Sequence, residues 1–201
     1  MAPKRRPEVR AADLQGFKYF GILVPLLERL QDIGTARDRA GNRQLFYDQY
    51  TALLLLYFFN PIITSLRSLQ QASGLDKVQK LLGVRRTSLG SFSEATGVFA
   101  AQPLRQIVQE LAGQAMPLEH GRAAEALRGL TAVDGSVLQA LPHMAWALWR
   151  DEHHHAAKLH LQFEVLKGIP VDATLTPAAC SEPAQLRVMR QPGRLYVTDR
   201  G

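Results

Sequence analysis

The chain has 201 residues, 46% of them apolar and 21% charged, enough for one large domain or two small ones with a real core. Its net charge is +6, and the whole excess lies in residues 1–130, which hold 17 Lys and Arg against 11 Asp and Glu. A polyanion partner is expected there, although a solvated basic surface accounts for a balance of this size equally well. One cysteine, Cys180, cannot close an internal disulfide, which points to a reducing cytoplasm. The longest apolar run, Ala52 to Phe59, spans eight residues. A membrane helix needs roughly 20, and no apolar stretch of the signal-peptide kind follows the basic start "MAPKRRPEVR", so no membrane association is expected.

The first 128 residues read as helical. Leu14, Phe17, Phe20, Leu23, Leu27 and Leu30 recur at three- and four-residue steps and predict a helix over Asp13 to Gln31. Leu45 to Phe59 predicts a second, largely buried helix ended by Asn60-Pro61, and Ile62 to Ala72 a third closed by Ser73-Gly74. Two short helices follow, "LDKVQKLLGV" and "LGSFSEATGVF", with Ser91 and Glu94 spaced as a capping box. Joined through "RRTS", they form either a helix-turn-helix, offering Arg85, Arg86, Thr87 and Ser88 to phosphates, or an ordinary helical hairpin. Helices from Pro103 to about Gly113 and from Pro117 to Arg128 complete this region.

Beyond it the period changes from 3.6 to two. "LTAVDGSVL" is a strand candidate. "KLHLQFEVL" alternates strictly, with Lys158, His160, Gln162 and Glu164 on one face and Leu159, Leu161, Phe163 and Val165 on the other. Lys167-Gly168 makes a tight turn into "IPVDATLT", a second alternating run, so the two form a hairpin. Ser181 caps a helix through Met189, Pro192-Gly193 breaks it, and Leu195 to Val197 read as a buried last strand. The fold class is therefore α+β: a helical region, 1–128, then a three-stranded meander, a helix and a fourth strand in 129–201.

Asp134 lies in the first strand and Asp199 at the carboxyl end of the fourth. If those strands are neighbours, the carboxylates converge, and a hard divalent cation is the usual remedy for their repulsion. Such a pair is the core of a two-metal phosphoryl-transfer site. Asp134-Gly135 is equally a common hairpin-turn dipeptide, and Asp199-Arg200-Gly201 an ordinary strand-end turn.

The stretches "TAVDGSVL", "AAKLHLQFEVLKGIPVDATLT", "SEPAQLR" and "LYVTDRG" resemble, in order and spacing, the DDE-type bacterial insertion-sequence transposases of family four. The resemblance covers about residues 85–201. It implies an RNase H-like catalytic domain, with Asp134 and Asp199 as the first two catalytic acids and ligands of Mg²⁺ or Mn²⁺, two ions in the complete enzyme. It implies cleavage and strand transfer at transposon-end DNA, with the helical region binding double-stranded DNA, in a bacterial cytoplasm at the nucleoid. It places the third acid, a glutamate on a later helix, past Gly201, so residues 1–201 are expected to be an inactive first part of such an enzyme. The alternatives are a non-catalytic protein that binds or inhibits at transposon ends, as a homodimer or paired with full-length enzyme, and a decayed remnant. A general RNase H-like nuclease fits the long helical start less well.

Other candidates read as structure. His153, His154, His155 and His160 tempt a zinc assignment, but consecutive histidines diverge and no cysteine is near. Lys158 and His160 share a strand face that could approach phosphate. Trp146 and Trp149 are expected core anchors, and Cys180 lacks the basic surroundings of a reactive thiol.

Overall fold

The computed structural model describes residues 9–31, 41, 43–139 and 156–199. Trp146, Trp149 and His153 to His155 lie outside these residues. The fold is α+β, and it separates into two compact units, 1–103 and 104–201. The sequence boundary at 128 therefore differs from the spatial one, because the helices after residue 103 fold with the sheet. Among the described residues, no helix is long and apolar enough to cross a membrane.

The first unit is a helical cluster. After a 3₁₀ turn at Ala11–Asp13 come α1 (Phe17–Glu28), α2 (Tyr47–Phe59), α3 (Leu66–Ser73), α4 (Asp76–Leu82) and α5 (Leu89–Val98). Their apolar stripes converge on a core of Phe20, Leu27, Leu53, Leu56, Leu69, Val78 and Phe92, all buried. The expected stop of α2 at Asn60 has a specific cause. Asn60 is itself buried, its Nδ2 donating to the Leu56 carbonyl at 2.7 Å and its Oδ1 accepting from Gln15 N–H at 2.5 Å. One side chain thus closes the last turn of α2 and ties it to the segment entering α1. The third helix starts at Leu66 rather than Ile62, because Ser65 and Ser68 exchange capping hydrogen bonds there. Similarly, Ser88 rather than Ser91 caps α5, accepting from Ser91 N–H at 3.0 Å.

The second unit sets α6 (Gln102–Gln114), α7 (Arg122–Ala126) and α8 (Glu182–Met189) with four strands: β1 (Leu130–Gln139), β2 (Ala156–Glu164), β3 (Ile169–Pro177) and β4 (Leu195–Thr198). Strand order is β3-β2-β1-β4. The pairs β1–β2 and β2–β3 are antiparallel, and β4 returns through α8 to lie parallel to β1. Asp134-Gly135 is thus mid-strand and not a hairpin turn. Pro170 is tolerated because β3 is an edge strand with a register irregularity against Gln162 and Phe163. Serine caps α8 as its sequence suggests, Ser181 Oγ accepting from Ala184 N–H.

Two features depart from simple alternation. The polar side of β2 is the deeply buried one: His160 and Gln162 are each 1% exposed, while Leu159, Leu161 and Phe163 are only half-buried. And β4 is an exposed edge, with Leu195 and Val197 at 59% and 51%, not a buried strand.

The approach of β4 to β1 depends on Gly129, whose φ is +77°. A Cβ there would stand 3.0 Å from the Gly193 carbonyl oxygen. Gly129→Ala is expected to cost about 1–2 kcal/mol from the left-handed backbone alone, with the clash added. Thermal denaturation read by circular dichroism checks this; an unchanged melting temperature would count against the proposed strain.

Candidate functional site

The two aspartates reach one place through strand register. In the parallel pair Leu130 faces Leu195, Thr131 Tyr196, Ala132 Val197 and Val133 Thr198. Asp134 and Asp199 are the next residue on each strand. Neighbouring strands lie about 4.8 Å apart, so residues directly after the last paired position begin side by side. Both aspartates are exposed, and both line a hollow of about 180 Å³ with Val133, Gly135, His160, Glu182, Pro183, Leu186 and Thr198.

Glu182 is a member that sequence reasoning did not place at the site. Its helix crosses back over β1 at Gly135, where a Cβ would fall 2.6 Å from Glu182 Oε1. A glycine at that point leaves room for the Glu182 side chain to lie against the strand. The available signal was the Ser181 cap followed by an acid in the first turn, where the helix dipole favours a negative charge. Glu182 is partnered by Lys158 at 3.3 Å, and Lys158 also donates to the Cys180 carbonyl at 3.4 Å. It thus enters the hollow already ion-paired, unlike the acid expected to hold a metal.

The rest of the β2 polar row is equally committed. His160 Nε2 lies 2.8 Å from Thr176 Oγ1. Burial pushes the His160 imidazole below its ordinary value, the Lys158 charge adds to that, and Glu182 opposes it. Gln162 Nε2 donates to the Met189 carbonyl, fastening the last turn of α8. Glu164 accepts from Arg194 at 3.1 Å and faces Lys167 at 3.8 Å, and Arg194 also donates to Thr131 Oγ1. Each of the four polar side chains of this β2 row therefore has a partner, which offsets the desolvation cost of facing a helix. Lys158 and His160, read as a face open to phosphate, lie under α8 and are engaged there.

In the first unit, Arg85 and Arg86 are exposed after the left-handed Gly83 that ends α4. Thr87 is buried: its N–H donates to Ser73 Oγ at 3.0 Å and its hydroxyl to the Arg85 carbonyl. Ser88 is exposed but occupied as the cap of α5. Of these four residues, the two arginines keep their side chains toward solvent.

A larger hollow, of about 360 Å³, lies near α7 and the β2–β3 turn. Arg122, Arg128, Glu119, Glu125 and Glu164 line it with opposing charges, and it contains no expected site residue. The smaller hollow carries the candidate chemistry because both aspartates open into it.

Compared with protein-family models, curated proteins and solved structures, the chain matches none.

The donor chemistry suits a hard cation: two exposed carboxylates, each oxygen-only, on adjacent strands. Among the described residues, no group of three or more His, Cys, Asp or Glu is placed to hold a metal. Asp134 and Asp199 therefore offer a partial ligand set, of the kind Mg²⁺ accepts when phosphate oxygens and water complete its shell.

Proposed function

We propose that residues 1–201 form part of a DDE-type transposase of bacterial insertion-sequence family four, with an RNase H-like catalytic domain. The observation that carries this reading is the register of β1 and β4, which sets Asp134 and Asp199 side by side over one hollow. Supporting it are the meander, helix and parallel fourth strand in the order the resemblance implies. Asp134 and Asp199 would hold Mg²⁺ or Mn²⁺, two ions in the complete enzyme. A metal held there would activate a water or a 3′-hydroxyl of the DNA and would neutralise charge on the phosphate oxygens. The protein's own part is to fix the two carboxylates on paired strands, so that little reorganisation is needed when DNA arrives. The direct test is Mn²⁺ uptake, which must require both aspartates.

The substrate in this reading is double-stranded transposon-end DNA, attracted by the basic excess of the first 130 residues and contacted by Arg85 and Arg86. Replacing both arginines by alanine is expected to weaken duplex binding and to reduce the salt dependence, log K against log[salt], by about 2. Fluorescence anisotropy across a salt series measures this, and an unaltered slope would remove the two arginines from the interface.

A second reading, a non-catalytic protein that occupies transposon ends, alone, as a homodimer or paired with full-length enzyme, is favoured by one observation. Of the three carboxylates lining the hollow, Glu182 is already paired with Lys158, and among the described residues no group of three or more His, Cys, Asp or Glu is placed to hold a metal. End-specific DNA binding without strand cutting in Mn²⁺ supports that role; robust cutting that needs Asp134 rejects it.

A further inference from the structure

The first unit carries a second surface that the duplex and metal readings do not use. On α1, Tyr19 and Ile22 point outward, 50% and 67% exposed, and Phe59 at the end of α2 is 44% exposed. Tyr19 and Phe59 lie with ring centroids 6.3 Å apart, and Phe59 is fixed from beneath by an edge-on contact with fully buried Phe20. The rings are thus held in place while much of their surface faces solvent. Two lysines lie over rings of α1, one of them over Tyr19 itself and the other over half-buried Phe17. Lys18 Nζ is 4.9 Å from the centre of the Tyr19 ring, and Lys77 Nζ, from α4, is 4.5 Å from that of Phe17. Both lysines are exposed, and neither forms an ion pair among the described residues.

We propose that this surface binds single-stranded nucleic acid, its exposed rings stacking unpaired bases and Lys18 and Lys77 meeting the adjoining phosphates. Rigid, exposed aromatics beside unpaired cations are the two components of sequence-tolerant single-strand binding. The charge also selects among occupants. Lys18 and Lys77 are exposed cations without an ion-pair partner among the described residues. A polyanion meets them favourably. The inference rests on these rings and lysines alone and stands whether or not Asp134 and Asp199 bind metal.

The test titrates the full 201-residue chain into fluorescein-labelled dT20, with U20 as a parallel arm to separate DNA from RNA, and reads anisotropy. Tyr19→Ala is expected to weaken binding about 5–100-fold, and Tyr19→Phe to bind like the wild type. Tyr19→Leu, which keeps apolar bulk without a ring, is expected to behave like the alanine variant. Lys18→Gln should lower the salt dependence by about 0.7. Tyr19 is half exposed, so these variants keep the fold, and circular dichroism verifies it. Two results would overturn the proposal: Tyr19→Ala binding dT20 and U20 as tightly as the wild type, or Tyr19→Leu matching the wild type. Loss of self-association by light scattering with no change in strand binding would assign the surface to a second copy instead. Arg85→Ala with Arg86→Ala should spare dT20 binding, so a failure of the duplex reading remains separable from a failure of this one.

Discussion

Asp134→Asn and Asp199→Asn are each expected to abolish measurable Mn²⁺ binding while leaving the fold intact. Two carboxylates completed by water make a weak site, on the order of 0.1–1 mM, the range of the least demanding carboxylate cation sites. Removing a charged direct ligand should weaken it by at least about 100-fold, the upper limit for loss of an outer-shell partner, and so beyond detection. Asparagine preserves shape, and both aspartates are exposed and line the hollow, so melting temperature should not fall. Electron paramagnetic resonance of free Mn²⁺ gives the affinity. A second readout locates the ion: Fe²⁺ with ascorbate and peroxide should cut the backbone near residues 134 and 199 in the wild type and in neither variant. Mn²⁺ binding that survives both substitutions would remove the metal site, and with it the chemistry that the transposase reading requires. Glu182→Gln serves as the contrast. Its carboxylate faces the same hollow but is neutralised by Lys158, so it should change Mn²⁺ binding little.

The largest expected effect on stability is at Arg105. Its guanidinium makes a two-pronged contact with Asp172, Nε to Oδ1 and Nη2 to Oδ2, both at 2.6 Å, joining α6 to β3. The Asp172 side chain is 5% exposed and that of Arg105 33%. Arg105→Ala would leave a buried carboxylate without its cation. Breaking a buried pair costs about 3–5 kcal/mol, and the partial exposure of Arg105 brings the expectation down to about 1.5–3 kcal/mol, the range for a hydrogen bond to a charged group. For a unit of this size each kcal/mol lowers the melting temperature by about 4–8 °C.

The same substitution has a pH signature. Burial pushes the Asp172 carboxyl up, but the Arg105 hydrogen bond, the Ala173 N–H and the Arg105 charge together bring it below its ordinary value. A carboxylate with a depressed folded value stabilises above its unfolded pKa, about 3.9, and that stability is lost as pH falls through the lower folded value. In Arg105→Ala burial acts with the cation gone, so the carboxyl is expected to shift upward and to destabilise most where it is ionised. The difference in stability between wild type and variant should therefore be largest near neutral pH and shrink below about pH 4. Urea titrations at pH 7 and pH 3.5 measure it. An equal difference at both values would mean that the contact matters as packing rather than as charge.

Much of the second unit can be read along the chain because its signals are local. The alternation of β2 and β3, the Lys167-Gly168 turn between them and the Ser181 cap of α8 all depend on neighbours a few residues away, and each forms where its pattern stands. The helical runs of the first unit are equally legible, and their boundaries shift only where a closer cap wins, as Ser65 does for α3 and Ser88 for α5. Long-range choices are different. Whether Asp134-Gly135 is a turn or a strand depends on β2, whose Leu161 and His160 pair with it from across the sheet. Which side of β2 turns inward depends on α8. That helix brings Glu182, the Met189 carbonyl and, just after it, Arg194 to satisfy a row of polar side chains that periodicity alone marks as solvent-facing.

By itself the sequence determined the α+β class, the element order and the choice of Asp134 and Asp199 as candidate acids. Tertiary structure alone decided that those strands are parallel neighbours, that Glu182 shares the hollow already neutralised, and that Lys158 and His160 face a helix. The physical reason is range. Helix caps, turns and pleat alternation are settled within a few residues, whereas strand register and the burial of a charge depend on partners that only the closed chain brings together.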